Sequence, residues 1–443
     1  MKIAILSIIL AGSLFAETPR FETDKLFIKL APGAKIPTSK LIKSVKPLFG
    51  QNYLVQTTDA VALETELKEN KNIAATEKSY FAGKRELPQP KKDKVMPEMN
   101  FFEAFNDPKV SRVWSFKDIG GQGVSVNRAY MNPLGLVKDE VIVAVVDTGV
   151  DYNHEDLKNV MWVNSNEIPG NGIDDDNNGY IDDVHGIDTL NKDDEGNASG
   201  DPMASHAHGT HVAGTIAAEQ NNHTGIAGIA SNVKIMAIRA VPDSSDETDA
   251  DVVESFLYAA KHGARIINCS FGKKHNEGGM IVNETIDHIG KTYGALVIAA
   301  AGNEYRSDND VSPKYPASFP SDHLMVVAST NKSGGLSWFS NVGRKTVDVA
   351  APGSGIYSTV PGNKYSNMSG TSMAAPTAAG VTAEVLSHFP ELNGVNLKKV
   401  IMDSVVKHPK FKTKMVSGGK VNLYLALRHA LNNYDELLRS QNK

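Results

Sequence analysis

Five short, continuously apolar segments alternate along the chain with longer segments of helical periodicity, and this alternation most constrains the fold. A strand buried on both faces shows no polar alternation, so such segments are typical of a parallel sheet covered by helices on both sides. The apolar segments span residues 141–146, 233–237, 265–269, 296–301 and 325–328, and helical patterns span residues 252–262 and 284–293. We therefore predict an α/β body with a mostly parallel central sheet that binds ligands at the carboxyl ends of its strands.

The first 16 residues differ in composition from the rest of the chain. Lys2 precedes an apolar stretch that ends in small residues at Ala16. This pattern is typical of a signal peptide, although a buried N-terminal strand or helix is the alternative, and it is too short to span a membrane. We expect a secreted or periplasmic protein without stable membrane insertion. Since Cys269 is the one cysteine, such a protein forms no internal disulfide.

A basic segment precedes an acidic body. Residues 20–95 contain 15 Lys and Arg against 9 Asp and Glu, whereas residues 96–443 carry a net charge of −11. A basic arm of this kind is compatible with nucleic-acid binding, but it lacks interleaved aromatic residues. We therefore expect no nucleic-acid partner and predict that the segment docks on an acidic surface of its own chain.

The basic segment itself predicts a small α+β unit. Its patterns indicate strands at residues 25–30, 53–57 and 73–81, and helices at residues 38–48 and 61–70. The Pro- and Lys-rich residues 88–94 then indicate an exposed linker, where proteolysis concentrates. A chain of 443 residues is long enough for two or three folded units.

Short motifs supply the residues of nucleophilic catalysis. Ser372 lies in GTSMAAP at residues 370–376, at the predicted start of a buried helix, where unpaired N–H groups favour negative charge. A serine needs a base and a group that orients the base. His208 opens the motif HGTHVAGT, Asp147 ends the first apolar strand in VDTGVD, and Asn303 follows another strand in AAAGNE. Taken singly, the aspartate, asparagine and serine are more often caps or turn residues.

In this order, the four motifs resemble those of subtilisin-like serine proteases, whose chain order is aspartate, histidine, serine. The resemblance covers roughly residues 105–430. It implies a three-layer subtilisin-like fold and a monomeric serine endopeptidase that acts on protein or peptide substrates through an acyl-enzyme. Ser372 would then be the nucleophile, His208 the general base, and Asp147 the group that orients it. The side chain of Asn303 would join the Ser372 N–H as an oxyanion donor.

Other classes of protein and site are weighed against this assignment. A catalytically dead binding module would share the fold, and a serine-directed phosphonate would leave its Ser372 unlabelled. An α/β-hydrolase needs glycine two residues after the serine, where this chain has Ala374, and a different chain order. His206, His208 and His211 could instead bind zinc, but the small and apolar residues that follow favour a packed helix with a buried His211.

The resemblance also implies where the substrate binds. The edge that pairs with an extended peptide would be formed by Ser270, Phe271 and Gly272. The opposite wall of the primary pocket would be formed by Ala300, Ala301 and Gly302. These small residues imply a roomy apolar pocket with broad specificity. Lys314 lies near the expected pocket floor, where it either selects an acidic or polar side chain or stays solvated.

The acidic sequence NGIDDDNNGYIDD at residues 171–183 predicts a calcium site. Its spacing matches the first seven positions of an EF-hand loop, but His185 stands where the closing glutamate belongs, so Asp182 or Asp183 would complete the shell. Crowded carboxylates repel one another without a cation, which favours Ca²⁺ over a solvated loop. The expected ligands are Asp174, Asp176, Asn178, the Tyr180 carbonyl and Asp183. Asp156 and Asn222 resemble a second calcium site of the family, which the sequence leaves open because the loop around Asn222 has one extra residue.

Subtilisin-like precursors carry a prodomain that assists folding, inhibits the cleft and is then removed. By resemblance, residues 1–16 would be the signal peptide, residues 17–100 the prodomain and linker, and residues 101–443 the catalytic domain. The opposite charges of the prodomain and the catalytic domain would favour docking, although weakly at physiological salt. The protein is therefore expected to be made as a zymogen.

Overall fold

The computed structural model describes residues 20–82, 87–89, 104–118, 122–193, 196–243, 247–274 and 280–441. The predicted signal peptide and residues 90–94 of the predicted linker lie outside these ranges. Among the described residues, no helix combines the length and the apolar character needed to cross a membrane.

The N-terminal unit is an antiparallel sheet of four strands with one helix. Its elements are β1 (Phe21–Leu30), β2 (Ile42–Pro47), β3 (Asn52–Thr57), α1 (Ala60–Leu67) and β4 (Ile73–Tyr80). The spatial order of the strands is β2-β3-β1-β4. Asp59 caps α1 by accepting hydrogen bonds from the N–H groups of Val61 and Ala62. The helix predicted at residues 38–48 is wrong, because β2 pairs along β3 and this tertiary pairing overrides the local pattern.

The rest of the chain forms a body built on a ten-stranded sheet, as the apolar segments predict. Its strands lie in the order β15-β16-β12-β11-β10-β9-β5-β8-β6-β7. The ladder is parallel from β16 to β6, and the short strands β7 and β15 at the two edges are antiparallel. A separate antiparallel hairpin is formed by β13 and β14. The strands are β5 (Val141–Asp147), β6 (Gly186–Lys192), β7 (Ala198–Ser199), β8 (Val233–Arg239), β9 (Ala264–Cys269), β10 (Leu296–Ala300), β11 (Leu324–Thr330), β12 (Val349–Pro352), β13 (Ile356–Val360), β14 (Lys364–Met368), β15 (Val406–Lys407) and β16 (Gly419–Lys420).

Helices cover both faces of this sheet and complete three layers. They are α2 (Val126–Met131), α3 (Ala207–Ala217), α4 (Asp249–Lys261), α5 (Ile281–Tyr293), α6 (Thr371–His388), α7 (Gly394–Asp403) and α8 (Leu423–Gln441). Alternate residues of β5 enter different cores: Val143 and Val145 pack with α3 and α6, whereas Ala144 and Val146 pack with α4 and α5. The predicted α/β fold with a mostly parallel sheet is therefore confirmed.

The N-terminal unit lies against α4 and α5 of the body. Phe27, on the face of β1 opposite its own core, is 3% exposed and packs within the apolar cluster that contains α4 and α5. Lys29 Nζ donates to both carboxylate oxygens of Glu284 at 2.9 Å, and Lys46 Nζ donates to Glu254 Oε1 at 2.8 Å. Basic side chains of the unit thus meet acidic side chains of the body.

Candidate active site

A buried pair of an aspartate and a histidine lies at the carboxyl edge of the sheet. Asp147 is the last residue of β5, and its Oδ1 is 2.7 Å from His208 Nδ1 and accepts the Thr148 N–H at 2.8 Å. Both side chains of the pair are 1% exposed. Because a carboxylate can only accept, Nδ1 carries the proton. His208 Nε2 has no hydrogen-bond partner among the described residues and is left as the basic nitrogen.

The close approach of α3 to the end of β5 depends on a glycine. A Cβ on Gly209 would lie 2.1 Å from the Gly149 carbonyl oxygen and 3.2 Å from Asp147 Cβ. The Gly209 N–H also donates to Thr148 Oγ1 at 3.0 Å. A larger residue at position 209 would push α3, and with it the His208 ring, away from the aspartate.

His211, in the same helix, is fully buried and lies apart from this pair. Its Nε2 donates to the carbonyl oxygens of Ile356 at 2.9 Å and Ser366 at 3.2 Å. Burial lowers the pKa of His211 to about 3, so the ring is neutral. These contacts join α3 to the hairpin of β13 and β14, which is the structural role that the sequence favours.

Ser372 lies in the first turn of α6, which follows Gly370 as its N-cap. The side chain of Ser372 is nearly buried, and its carbonyl oxygen accepts a hydrogen bond from Ser270 Oγ at 2.9 Å. The first N–H groups of a helix have no intrahelical partner, so the Ser372 N–H is open to an external acceptor. Helices α3 and α6 pack against each other. His208 and Ser372 therefore occupy the first turns of two adjoining helices.

Asn303 follows β10 and is tied to the start of α6. Its Oδ1 accepts hydrogen bonds from the Thr371 N–H at 2.9 Å and from Thr371 Oγ1 at 3.0 Å. The Thr371 hydroxyl in turn accepts the Gly302 N–H at 3.1 Å. These bonds fix the carbonyl side of the amide, so the Nδ2 group is the part of Asn303 that is left to donate to a ligand.

A cavity of about 260 Å³ adjoins Ser372 and Asn303. Ser270, Phe271 and Gly272 form one part of its lining, as the sequence predicts, and Ala300 and Gly302 form another. The expected wall residue Ala301 does not line the cavity. It is fully buried in the core, and its carbonyl oxygen accepts Asn309 Nδ2 at 2.8 Å. The reason is the alternation of side chains along an extended segment, which turns Ala301 away from its two neighbours.

Lys314 also lines this cavity, together with Glu304, a residue that the sequence reasoning did not single out as part of the pocket. The Lys314 side chain is 11% exposed, so it is not a freely solvated lysine. Its Nζ lies 3.6 Å from Glu304 Oε1. The adjacency of Glu304 to Asn303 was the signal available in the sequence.

The chain that leaves the N-terminal unit runs into the same cleft. Phe81 forms an antiparallel bridge with Thr248, and the Ala82 N–H donates to the Glu247 carbonyl oxygen at 2.9 Å. Further along, Leu87 and Pro88 line the cavity beside Ser372. Gln89 Nε2 lies 3.0 Å from His206 Nε2. These contacts place residues 87–89 across the mouth of the site.

Comparison with known proteins identifies the family to which this fold and site belong. Residues 138–424 match the model of the subtilase family. The chain belongs to the subtilase family. Thermitase from Thermoactinomyces vulgaris is 34% identical over 287 residues, which cover 65% of this chain and 88% of thermitase.

Two further relatives set the extent of the likeness. Subtilisin-like protease 1 of Plasmodium berghei (strain Anka) is 33% identical over 315 residues, or 68% of this chain, and the chain spans about half of that relative's length (51%). A solved protease structure from Pseudoalteromonas arctica PAMC 21717 aligns with a TM-score of 0.58 at 26% identity, covering 74% of this chain and 100% of that chain. The likeness to this solved structure thus extends over its whole length.

The acidic loop of this subtilase gathers three carboxylates. Ligand oxygens of Glu167, Asp176 and Asp183 all lie within 4.8 Å of one another, and Glu167 and Asp183 are buried. Asn178 joins them through its Nδ2, which donates to Asp183 Oδ2 at 3.0 Å. Burial is the main cause that raises the pKa of Glu167. The cluster offers the hard oxygen ligands that Ca²⁺ prefers.

The loop does not use every predicted ligand in the expected way. The Asp174 carboxylate lies outside the cluster and accepts the N–H groups of Asn178 at 3.0 Å and Gly179 at 2.8 Å, so it holds the turn. The Tyr180 hydroxyl donates to Glu254 Oε1 at 3.2 Å, and the role of its backbone carbonyl as a ligand stays a prediction. Asp182 accepts backbone N–H groups of residues 170–172, which leaves Asp183 as the acid that closes the cluster.

Glu167 was missed because it lies outside the acidic sequence. Its two carboxylate oxygens accept the N–H groups of Asp175, Asp176 and Asp182, so the Glu167 side chain holds these parts of the loop together. An acidic residue shortly before an acidic loop was the only signal in the sequence.

The second predicted calcium pair is also brought together. Asn222 Nδ2 donates to Asp156 Oδ1 at 2.9 Å, and the Ile226 N–H donates to Asp156 Oδ2. The Asp107 carboxylate accepts the N–H groups of Asn221 and Asn222. Burial raises the pKa of Asp156 to about 6. A cation at this loop stays a prediction.

Proposed function

We propose that this subtilase is a serine endopeptidase in which Ser372, His208, Asp147 and Asn303 carry the reaction. The buried contact of 2.7 Å between His208 Nδ1 and Asp147 Oδ1 is the observation that carries this proposal. It fixes the tautomer and leaves Nε2 as the basic nitrogen, and α3, which carries His208, packs against α6, which carries Ser372. Such a pair next to a serine is the arrangement needed to activate a poor nucleophile.

The reaction follows from these positions. Ser372 Oγ attacks the scissile carbonyl carbon while its proton passes to His208 Nε2. Asn303 Nδ2 and the Ser372 N–H donate to the oxyanion that forms. The intermediate collapses with cleavage of the C–N bond, and His208 returns the proton to the leaving amine. Water then repeats the sequence on the acyl-enzyme, and Asp147 stabilises the charged imidazole in both halves.

Two measurements on one preparation test this function. A fluorophosphonate probe should label Ser372, and the matured protein should cleave an unfolded protein into peptides. Ser372→Ala should abolish both results, whereas Ser440→Ala, a serine near the end of α8, should leave both unchanged. Absence of labelling in wild-type protein freed of its N-terminal unit would contradict the proposal and favour a binding module with the same fold.

We also propose that the N-terminal unit, within residues 17–100, inhibits this site and that the protein is a zymogen. Its support is the position of Leu87 and Pro88 in the cavity beside Ser372, together with the pairing of the preceding chain at Thr248. Ser372→Ala should accumulate the full-length chain from residue 17 onward. Normal maturation of that variant, seen by N-terminal sequencing, would rule out self-processing.

Export and calcium complete the proposal. The short apolar start of the chain supports export, as does the likeness to a halolysin-like extracellular serine protease of Natrialba magadii, 35% identical over 307 residues. Glu167, Asp176 and Asp183 would hold Ca²⁺, which would neutralise their mutual repulsion and fix the loop to α4 through the bond from Tyr258 to Asp183. The fate of the protein after expression, in cell extract or in culture medium and periplasm, tests export.

A further inference from the structure

The cavity beside Ser372 is lined by three lysines that the proposed reaction does not use. Lys273, Lys274 and Lys314 line it, and Glu304 is the acidic residue among its lining residues that the structure describes. Lys273 is neutralised from behind, because its Nζ donates to both oxygens of buried Asp249 at 2.6 and 2.5 Å. The two remaining positive charges, those of Lys314 and the exposed Lys274, therefore outnumber the single negative charge of Glu304.

The ammonium group of Lys314 lies near the Glu304 carboxylate but forms no hydrogen bond with it. The separation of 3.6 Å between Nζ and Oε1 exceeds the range of a hydrogen bond. An ammonium group carries three donors and no acceptor. Within the described residues, Glu304 is the one ion-pair partner of Lys314. Its donors are thus available to a group that enters the cavity.

Glu304 is held in place and does not swing onto the lysine. Its backbone N–H donates to Asn341 Oδ1 at 2.8 Å, and Asn341 Nδ2 donates back to Glu304 Oε2 at 2.5 Å. Gly302 permits this clamp, because a Cβ there would lie 2.5 Å from Asn341 Nδ2 and 2.8 Å from Glu304 Oε2. These bonds hold the Glu304 carboxylate on Asn341 while both residues 304 and 314 line the cavity.

From this arrangement we propose that Lys314 determines specificity and that the enzyme cleaves preferentially after acidic side chains, Glu or Asp. The proposal rests on the proposed endopeptidase function. The cavity is bounded by small residues, Ala300, Gly302 and Ala317, and it adjoins the nucleophile and the Asn303 donor. A carboxylate that enters it pairs with Lys314, whose side chain is 11% exposed, so the pair is screened by water less than one at the surface. Leu87 and Pro88 line the same cavity, which keeps a volume of about 260 Å³ beside them.

The test uses matched peptide substrates that differ only in the residue before the cleaved bond, namely Glu, Gln, Leu or Lys. The matured wild-type enzyme should show the highest kcat/KM for Glu. In Lys314→Met the ratio of kcat/KM for Glu to that for Leu should fall by about 10- to 100-fold, the loss expected for one hydrogen bond to a charged group. Lys314→Glu should shift the preference to Lys.

Controls separate charge from folding and this inference from the proposed function. Lys314→Arg keeps the charge and should keep the preference for Glu. Glu304→Gln removes the competing carboxylate and should raise the ratio of Glu to Leu. Lys399→Met, at an exposed lysine paired with Asp403, should change nothing. Each variant is titrated with the Ser372 probe so that only folded active sites are counted.

Two outcomes would overturn the inference alone. They are a wild-type enzyme that labels at Ser372 but cleaves after Leu at least as well as after Glu, and a Lys314→Met enzyme with an unchanged ratio. If wild-type protein neither labels nor cleaves any of the four peptides, the endopeptidase function itself is wrong.

Discussion

The catalytic body and the N-terminal unit bury their apolar residues in different ways. The apolar residues of β5 alternate between two clusters on opposite faces of the large sheet. The N-terminal unit has one small cluster of seven buried residues on one face of its sheet. Its opposite face places Phe27 in the core of the body. The unit therefore depends on the body to bury this face of its sheet.

The ion pairs between the N-terminal unit and the body are far more exposed than the pair of Asp147 and His208 inside the body. The lysines that bind Glu284 and Glu254 are 43% and 42% exposed, so these ion pairs are screened by salt and are individually weak. The pair of Asp147 and His208 is 1% exposed on both sides. The proposed catalytic pair thus lies in the core of the body, whereas the proposed inhibitory contacts lie on an exposed surface.

The largest expected effect comes from the buried pair in the body. Asp147→Asn would keep the shape but favour the wrong tautomer of His208, so kcat should fall by about 10⁴-fold. The exposed residue Asp435 offers a matched control, since Asp435→Asn removes the same charge from the surface of α8. Steady-state kinetics on matured protein measure both variants. An Asp147→Asn enzyme with wild-type kcat would contradict the role of the pair.

The oxyanion donor should give the next largest effect. Asn303→Ala removes the Nδ2 donor, so kcat should fall by about 10²- to 10³-fold, the loss typical of removing one such donor. The KM should change less, because the donor acts on charge that develops during the reaction. Asn432→Ala, at an exposed position of α8, serves as the control. If the loss appeared in KM instead, Asn303 would be a binding residue rather than an oxyanion donor.

Removal of calcium should affect the stability of the body. An ion present at about 100 times its dissociation constant adds about 2.7 kcal/mol, which corresponds to roughly 4 °C in Tm for a body of about 340 residues. Excess chelator should therefore lower Tm, and Ca²⁺ should restore it. Asp183→Asn should lower Tm and make it insensitive to chelator, whereas Asp435→Asn should behave as wild type. An unchanged Tm of wild-type protein in excess chelator would disprove the calcium assignment.

The two parts also differ in how far their sequences predict them. The continuously apolar strands of the body could be read directly, and the position of Asp147 at a strand end followed from them. The strand β2 within residues 38–48 could not be predicted from the sequence. A half-buried edge strand with two lysines resembles an amphipathic helix until its pairing with β3 is known. Glu167 contacts the acidic loop by accepting hydrogen bonds from backbone N–H groups, and such bonds produce no periodic pattern in the sequence.

The smallest expected effect concerns the pH dependence of docking between the two parts. Glu77, on β4, accepts the N–H groups of Met280 and Ile281 at the start of α5, both at 3.0 Å. Burial, followed by the nearby charge of Asp249, raises the pKa of Glu77 from 4.5 to about 7, and Lys273 opposes this shift. The docked state thus holds a proton that the separated unit has lost. Docking is strongest below pH 4.5 and weakens as pH rises towards 7. The equilibrium constant for docking falls by at most about tenfold per pH unit.

This effect can be measured on the Ser372→Ala chain after a second protease has cut the linker at Lys91, Lys92 or Lys94. The fraction of the N-terminal unit that co-elutes with the body in gel filtration should fall as pH rises from 5 to 7. Glu77→Gln cannot titrate, so its co-elution should be independent of pH in this range. The matched variant Glu69→Gln, at an exposed site of the same unit, should keep the wild-type dependence. Identical profiles for wild type and Glu77→Gln would show that protonation of Glu77 does not affect docking.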